Sequence, residues 1–138
     1  MNIAIITGAS SGLGREYARL LAAEPGLDEL WLIARRQDRL EKLQAELPLP
    51  CHLLICDLTD TAVFTEIQQQ LMAVKDIEIR WLINAAGFGR IGTCAEIGME
   101  TTGRMIDLNC RAAVAMTQLA IPFMSAGAHI LEICSCAA

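Results

Sequence analysis

Short aliphatic segments alternate along this chain with longer segments of helical spacing, and this alternation restricts the possible folds more than any other feature. Strand–helix–strand units of this kind form right-handed crossovers onto a parallel sheet. The strands of such a sheet are apolar on both sides because helices cover both faces. The sequence therefore predicts an α/β fold, a doubly wound parallel sheet with helices on both faces. The predicted strands are Ile3–Ile6, Leu30–Ile33, His52–Ile55, Ile79–Ile83 and His129–Ile133.

Apolar residues three or four positions apart predict four helices between these strands. A fourth helix is expected from about Thr101 to Met124, bent or ended by Pro122. Thr59 and Asp60 are candidate N-caps of the third. No repeat or linker divides the chain, so residues 1–138 are expected to form a single domain. The first three helices are predicted from Leu13, Tyr17, Leu20 and Leu21, from Leu40, Leu43 and Leu47, and from Val63, Phe64, Ile67 and Leu71.

Charge and composition exclude several classes of partner. The net charge of −5 and the absence of a Lys/Arg stripe argue against nucleic acid. No apolar run reaches the roughly 18 residues of a membrane span, and no basic segment precedes an apolar one at the start, so a cytoplasmic location and no membrane partner are expected. The six cysteines contain no C-x-x-C pair. Reduced, buried thiols and no metal site are expected from them.

The glycine-rich stretch TGASSGLG, Thr7 to Gly14, directly follows the first strand. In open parallel sheets, ligands bind beyond the carboxyl ends of the strands. A turn with unhindered backbone amides at a helix N-terminus forms an anion site, and Ser10 and Ser11 add hydroxyl donors. A phosphate-binding turn is therefore predicted, with a purely structural glycine turn as the alternative.

The same stretch also matches the G-x-S-x-G elbow of serine hydrolases, with Asp107 and His129 following Ser10 in the required order. An oxyanion hole of that type needs a backbone N–H from a loop upstream of the elbow, but only one short strand precedes it. His129 also begins a strand, which places it at the opposite edge of the sheet. The hydrolase interpretation is rejected on both grounds.

Five motifs in order resemble those of the short-chain dehydrogenase/reductase family, and the resemblance covers the whole chain. NAAG departs from the family's N-N-A-G because Ala85 replaces the second Asn. The resemblance implies a Rossmann-like sheet of five strands in the order 3-2-1-4-5, catalytic roles for Asn109 and Ser135, and a small carbonyl or alcohol substrate. The motifs are TGASSGLG, the pair Asp57-Leu58, NAAG, IDLN ending at Asn109, and ICSCAA with Ser135. The cofactor-binding residues implied are Gly8, Ser10, Ser11, Gly12, Leu13, Gly14, Asp57, Leu58, Asn84, Ala85, Ala86 and Gly87.

The residues after the second strand indicate which nicotinamide cofactor is bound. About twenty residues past the glycine loop, an NAD site usually carries an acidic side chain for the ribose 2′-hydroxyl. Here the segment reads Ala34-Arg35-Arg36, and guanidinium groups suit a phosphate dianion. The prediction is NADP(H) rather than NAD(H), held by Arg35 and Arg36 with Arg35 as the main partner. The alternative is that both arginines are solvated residues at the start of a helix.

The resemblance also implies a Y-x-x-x-K motif beyond the serine, and this sequence contains none. The single tyrosine is Tyr17, and the lysines are Lys42 and Lys75. The chain is therefore expected to be the cofactor-binding half of an NADP(H)-dependent oxidoreductase, incomplete at its C-terminus and inactive alone. A non-catalytic dinucleotide-binding module is the alternative. The last strand would then form a bare apolar edge, from which a homo-oligomer is expected.

Overall fold

A five-stranded parallel sheet forms the centre of the computed structural model, which describes residues 1–135. Its strands lie in the order β3-β2-β1-β4-β5, which confirms the predicted Rossmann-like order. β1 is the central strand, and it pairs in parallel with both β2 and β4. The strands are β1 (Asn2–Thr7), β2 (Glu29–Ala34), β3 (Cys51–Ile55), β4 (Glu78–Asn84) and β5 (His129–Glu132).

Helices connect the strands, and the last connection differs from the predicted single helix. It begins at Cys94 instead of Thr101, and Gly98 interrupts it with φ 75°. A π-helical turn, Asp107–Arg111, then separates it from the next helix. Pro122 lies in a short 3₁₀ turn after that helix, so of the two predicted effects it ends the helix and does not bend it, and the helix stops at Ala120 instead of Met124. The helices are α1 (Gly12–Leu21), α2 (Gln37–Glu46), α3 (Ala62–Ala73), α4 (Cys94–Ile106) and α5 (Ala112–Ala120).

The sheet buries both of its faces, because successive residues of β1 point in opposite directions. Ile3 and Ile5 pack on one side, in a core that includes residues of α3 and α5. Ala4 and Ile6 pack on the other side, in a core that includes residues of α1 and α2. Helices therefore cover both faces, as the continuously apolar strands predict.

The prediction for the apolar face of α1 is confirmed for Tyr17 and Leu21 and is wrong for Leu13 and Leu20. Leu13 and Leu20 are 58% and 67% exposed, whereas Gly14, Ala18 and Leu21 are buried. The face of α1 that packs on the sheet includes the small residues Gly14 and Ala18, and Leu13 and Leu20 lie outside it.

Two further local predictions are corrected. The N-cap of α3 is Thr61 instead of Thr59 or Asp60, although the Asp60 carboxylate accepts the N–H of Ala62 at 3.0 Å. The cysteines are less buried than expected, since Cys51 and Cys56 are half-buried and Cys94, Cys110 and Cys134 are exposed. Cys136 lies outside the described residues.

In residues 1–135, no helix is long and apolar enough to cross a membrane.

Candidate functional site

A cleft opens at the carboxyl edge of the sheet, where connections leave β1 toward both sides. This is the place where open α/β sheets bind ligands. Most of the predicted cofactor-binding residues come together there. Those that line the cleft are Gly8, Ser10, Ser11, Arg35, Arg36, Asp57, Leu58, Ala85 and Gly87, whereas Gly12, Leu13, Gly14, Asn84 and Ala86 do not line it.

The glycine turn holds the N-terminus of α1 against the ends of β1 and β4. Gly8 has φ +67°, and a Cβ there would lie 2.7 Å from the carbonyl oxygen of Ala85. A Cβ on Gly14 would lie 2.5 Å from the carbonyl oxygen of Gly8. Side chains larger than hydrogen are therefore excluded at both positions, and the helix begins directly at the cleft.

The first turn of α1 has no anionic side chain of its own. Ser11 is the N-cap, yet its side chain makes no capping hydrogen bond, and the turn contains no acidic residue. The first N–H groups of a helix have no partner within the helix, and the dipole favours negative charge there. This helix end is suited to a bound anion.

Arg36 contacts both serines of the turn. Its Nη2 donates to Ser10 Oγ at 3.0 Å and to Ser11 Oγ at 2.9 Å, and its Nε lies 3.3 Å from Ser10 Oγ. A hydroxyl that accepts a hydrogen bond can still donate its own proton. Two hydroxyl donors and one guanidinium thus converge at the end of β2.

Arg35 points to a different part of the cleft, toward Asp57. Asp57 Oδ1 accepts the backbone N–H and the hydroxyl of Thr59, at 3.0 Å and 2.8 Å. Its Oδ2 lies 4.0 Å from Arg35 Nη1 and 3.7 Å from Arg104 Nη2. Burial raises the pKa of Asp57, but the Thr59 hydrogen bonds and the two arginine charges outweigh burial and hold this pKa below its ordinary value.

Thr7 ties the glycine turn to the loop after β4, and the sequence analysis assigned it no role. It is 2% exposed, and its hydroxyl oxygen accepts the N–H groups of Ala85 at 3.1 Å and Ala86 at 3.0 Å. The hydroxyl also donates to the carbonyl of Ile83 at 3.5 Å. The sequence could have indicated this role, because Thr7 is a polar residue at the last position of an otherwise apolar strand, directly before Gly8.

Replacement of Thr7 by valine should lower the free energy of unfolding by about 1–3 kcal/mol, because the partly buried N–H groups of Ala85 and Ala86 lose their acceptor. Urea denaturation measures this loss. Thr7→Ser keeps the hydroxyl and should lose less than half as much. Equal losses in the two variants would show that the methyl group, and not the hydroxyl, is what matters.

Asn84 faces α5 instead of the cleft. It is 5% exposed, and its Nδ2 donates to Glu132 Oε1 at 2.6 Å and to Thr117 Oγ1 at 3.1 Å. Its Oδ1 has no hydrogen-bond partner among residues 1–135. Asn84 therefore links β4, β5 and α5 behind the cleft.

The predicted catalytic residues Asn109 and Ser135 both lie outside the cleft lining. Asn109 sits in the π-helical turn, where its Oδ1 accepts the N–H of Phe88 at 2.9 Å and its Nδ2 donates to the carbonyl of Phe88 at 2.8 Å. This pair of bonds fixes Asn109 to the loop after β4. Ser135 follows β5 and is exposed.

The site does not have the features of a serine hydrolase triad, a reactive thiol or a metal centre. His129 is the first residue of β5 and stacks on Trp81, with ring centroids 4.2 Å apart, so it lies at the amino end of its strand, away from Ser10. Cys56 lines the cleft, but burial raises the pKa of its thiol to about 11. Within the described part of the chain, no three His, Cys, Asp or Glu side chains form a group that could hold a metal ion.

The chain was compared with models of protein families and with known proteins. The family model described as short chain dehydrogenase matches residues 2–138. An uncharacterized oxidoreductase of Staphylococcus epidermidis is 28% identical over 137 residues, which cover 96% of this chain and 57% of that protein.

Two solved structures are similar in fold and sequence. A bulky-bulky ketone specific alcohol dehydrogenase from Comamonas testosteroni has a TM-score of 0.75 and 29% identity, covering 88% of this chain and 49% of that one. A short-chain dehydrogenase from Sphingobium yanoikuyae in complex with NADPH has a TM-score of 0.74 and 32% identity, covering 88% of this chain and 48% of that one. This chain therefore spans about half the length of these relatives.

Proposed function

Because this chain belongs to the short chain dehydrogenase family, we propose that it binds NADP(H) and forms the cofactor-binding part of an oxidoreductase. The reaction is hydride transfer between nicotinamide C4 and a small carbonyl or alcohol substrate. The bound cofactor supplies or accepts the hydride. The residues of this chain hold the dinucleotide and orient it.

The observation that carries the proposal is the convergence of Arg36, Ser10 and Ser11 at the end of β2. In NAD(H) sites the ribose 2′-hydroxyl usually donates to an acidic side chain at the end of the second strand. The segment Ala34-Arg35-Arg36 contains no acidic residue. Hydroxyl and guanidinium donors match a phosphate dianion. The NADPH bound to the Sphingobium relative supports the same choice.

The remaining parts of the dinucleotide fit the other features of the cleft. The N-terminus of α1, without an acidic residue in its first turn, would hold the pyrophosphate. Asp57 Oδ2 is not hydrogen-bonded by Thr59, so it could accept the amino group of the adenine, beside Leu58. Asn109 and Ser135 would lie toward the substrate, as their motifs in the family imply.

Titration of the chain with NADPH and NADH, followed by the fluorescence of the reduced nicotinamide, tests the proposal. A hydrogen bond to a charged group contributes about 1.5–3 kcal/mol. NADH has no 2′-phosphate and cannot make these contacts. It should therefore bind at least about tenfold more weakly than NADPH. Equal affinity for the two cofactors, or no binding of either, would contradict the proposal.

The 138-residue polypeptide, assayed alone, should show no turnover with carbonyl substrates. A tyrosine hydroxyl has an ordinary pKa near 10, so it needs a neighbouring cation to exchange protons at neutral pH. Tyr17 is on α1, partly buried against the core, and Lys42 and Lys75 are both more than twenty residues away from it in the chain. The assay follows NADPH absorbance against a panel of aldehydes and ketones, and sustained oxidation of NADPH would show that another proton donor exists.

Self-association is also part of the proposal. Ile106 at the end of α4, Val114 on α5 and Ile121 directly after α5 are each more than half exposed. A surface that carries several large exposed apolar side chains is typical of interfaces. Light scattering over a range of concentrations measures the association.

A further inference from the structure

Arg111 is the last residue of the π-helical turn, and none of the five motifs includes it. The turn begins at Asp107 and carries Asn109 in its middle. Single π-helical turns within helical segments are rare, and they occur frequently at functional sites. Arg111 is about half exposed and does not line the cleft, so a role for it in the cleft must act through other residues.

The Arg111 guanidinium joins the two ends of this turn and connects them to another loop. Its Nη2 lies 3.0 Å from Asp107 Oδ1 and donates to the carbonyl oxygen of Thr59 at 3.3 Å. Thr59 in turn donates its N–H and its hydroxyl to Asp57 Oδ1, and Asp57 lines the cleft. One nitrogen atom of Arg111 therefore connects the π-helical turn to the loop that follows β3.

The same turn holds the loop after β4 through Asn109. The side-chain amide of Asn109 bonds both the N–H and the carbonyl of Phe88, and a Cβ on Gly87 would lie 3.0 Å from Asn109 Oδ1. Gly87 and Leu108, the residue before Asn109, line the cleft. The loops after β3 and β4 thus border the cleft and are both attached to the π-helical turn, one by Arg111 and the other by Asn109.

We propose that Arg111 is a positioning residue, which holds the loops after β3 and β4 in a fixed relative position through the π-helical turn. A dinucleotide that spans the cleft contacts both loops, and it binds more tightly when the loops need not be ordered on binding. A nucleotide that contacts only the side of β2 and β3 gains nothing from this arrangement. The inference rests on the proposed function, because it needs a dinucleotide that spans the cleft.

The experiment measures the affinities of NADPH and adenosine 2′,5′-bisphosphate for the unsubstituted chain and for Arg111→Gln. The bisphosphate contains the adenine half of NADPH with its 2′-phosphate and has a comparable negative charge, so a general loss of positive charge weakens both ligands alike. Loss of the Arg111 contacts should weaken NADPH by about three- to tenfold and the bisphosphate by less than about twofold. Arg111→Lys keeps the charge and a donor, so it should recover most of the affinity for NADPH.

Native-state hydrogen exchange measures the position of the loop after β4 independently of binding. The N–H of Phe88, which donates to Asn109 Oδ1, should exchange at least about threefold faster in Arg111→Gln. The N–H groups of β1 should change by less than about twofold, because exchange in the central strand reports the stability of the whole fold.

Arg39→Gln is the matched control. Arg39 is exposed on α2, loses the same charge and does not line the cleft, so this variant should bind both ligands as before. Unchanged NADPH affinity in Arg111→Gln, an equal loss for both ligands, or exchange that accelerates in β1 as much as at Phe88 would overturn the inference. Failure of the unsubstituted chain to bind either ligand would instead overturn the proposed function.

Discussion

Replacement of Gly14 by alanine should lower the free energy of unfolding by about 3 kcal/mol or more. A Cβ at this position would lie 2.5 Å from the carbonyl oxygen of Gly8 and 3.0 Å from that of Thr7. Both contacts are to backbone atoms at the end of the central strand, so relief requires α1 to move away from the sheet. Alanine in a helix is ordinarily favoured over glycine by about 1 kcal/mol, but the overlap outweighs this gain.

Chemical denaturation of Gly14→Ala, with Gly103→Ala as control, measures the effect. Gly103 lies within α4, and a Cβ there would meet nothing within 4 Å. This control should therefore keep the stability of the unsubstituted chain or gain up to about 1 kcal/mol. A Gly14→Ala variant as stable as Gly103→Ala would show that the close packing of α1 on the glycine turn is wrong.

Replacement of Arg36 by aspartate should lower the affinity for NADPH by about 100-fold. The change removes the guanidinium that contacts Ser10 and Ser11 and places a negative charge near the 2′-phosphate. A lost charged hydrogen bond of about 1.5–3 kcal/mol together with the new repulsion gives this magnitude. The affinity for NADH should stay the same or rise, because a carboxylate can accept the 2′-hydroxyl.

Arg39→Asp is the control for the general effect of charge. It lies three residues further along the same helix, is exposed and makes the same change of charge outside the cleft. Its affinity for NADPH should change by less than about threefold, since exposed charges interact weakly across solvent. Equal weakening of NADPH and NADH in Arg36→Asp would instead point to a role for Arg36 in holding the glycine turn.

The order of elements and the general place of the cleft were predictable from the sequence. Strands such as β1 are apolar throughout because helices cover both sides, and this pattern distinguishes them from the helices. The carboxyl ends of parallel strands share one edge, so residues such as Ser10, Asp57 and Ala85 could be grouped without coordinates. These features depend on periodicity and topology, which a sequence carries directly.

The direction of individual side chains could not be predicted in the same way. Arg35 and Arg36 are adjacent, and which of them reaches Ser10 depends on where β2 ends and α2 begins. Arg36 is the N-cap of α2, and its guanidinium contacts the serines, whereas Arg35 turns toward Asp57. A shift of one residue in that boundary would exchange their places.

The start of α4 was missed although a signal was present. Thr93 and Glu96 have the spacing of a capping box, and both of its hydrogen bonds form. The positive φ of Gly98 and the π-helical turn from Asp107 to Arg111 interrupt the helical spacing after that point. The interruption explains why the apolar periodicity alone placed the start of the helix seven residues too late.

The position of the 2′-phosphate in a crystal structure of this chain bound to NADPH tests the central claim most directly. The proposal predicts phosphate oxygens within hydrogen-bonding distance, about 2.7–3.2 Å, of Ser10 Oγ, Ser11 Oγ and the Arg36 guanidinium. A nucleotide bound elsewhere, or a 2′-phosphate that contacts none of these three side chains, would contradict it.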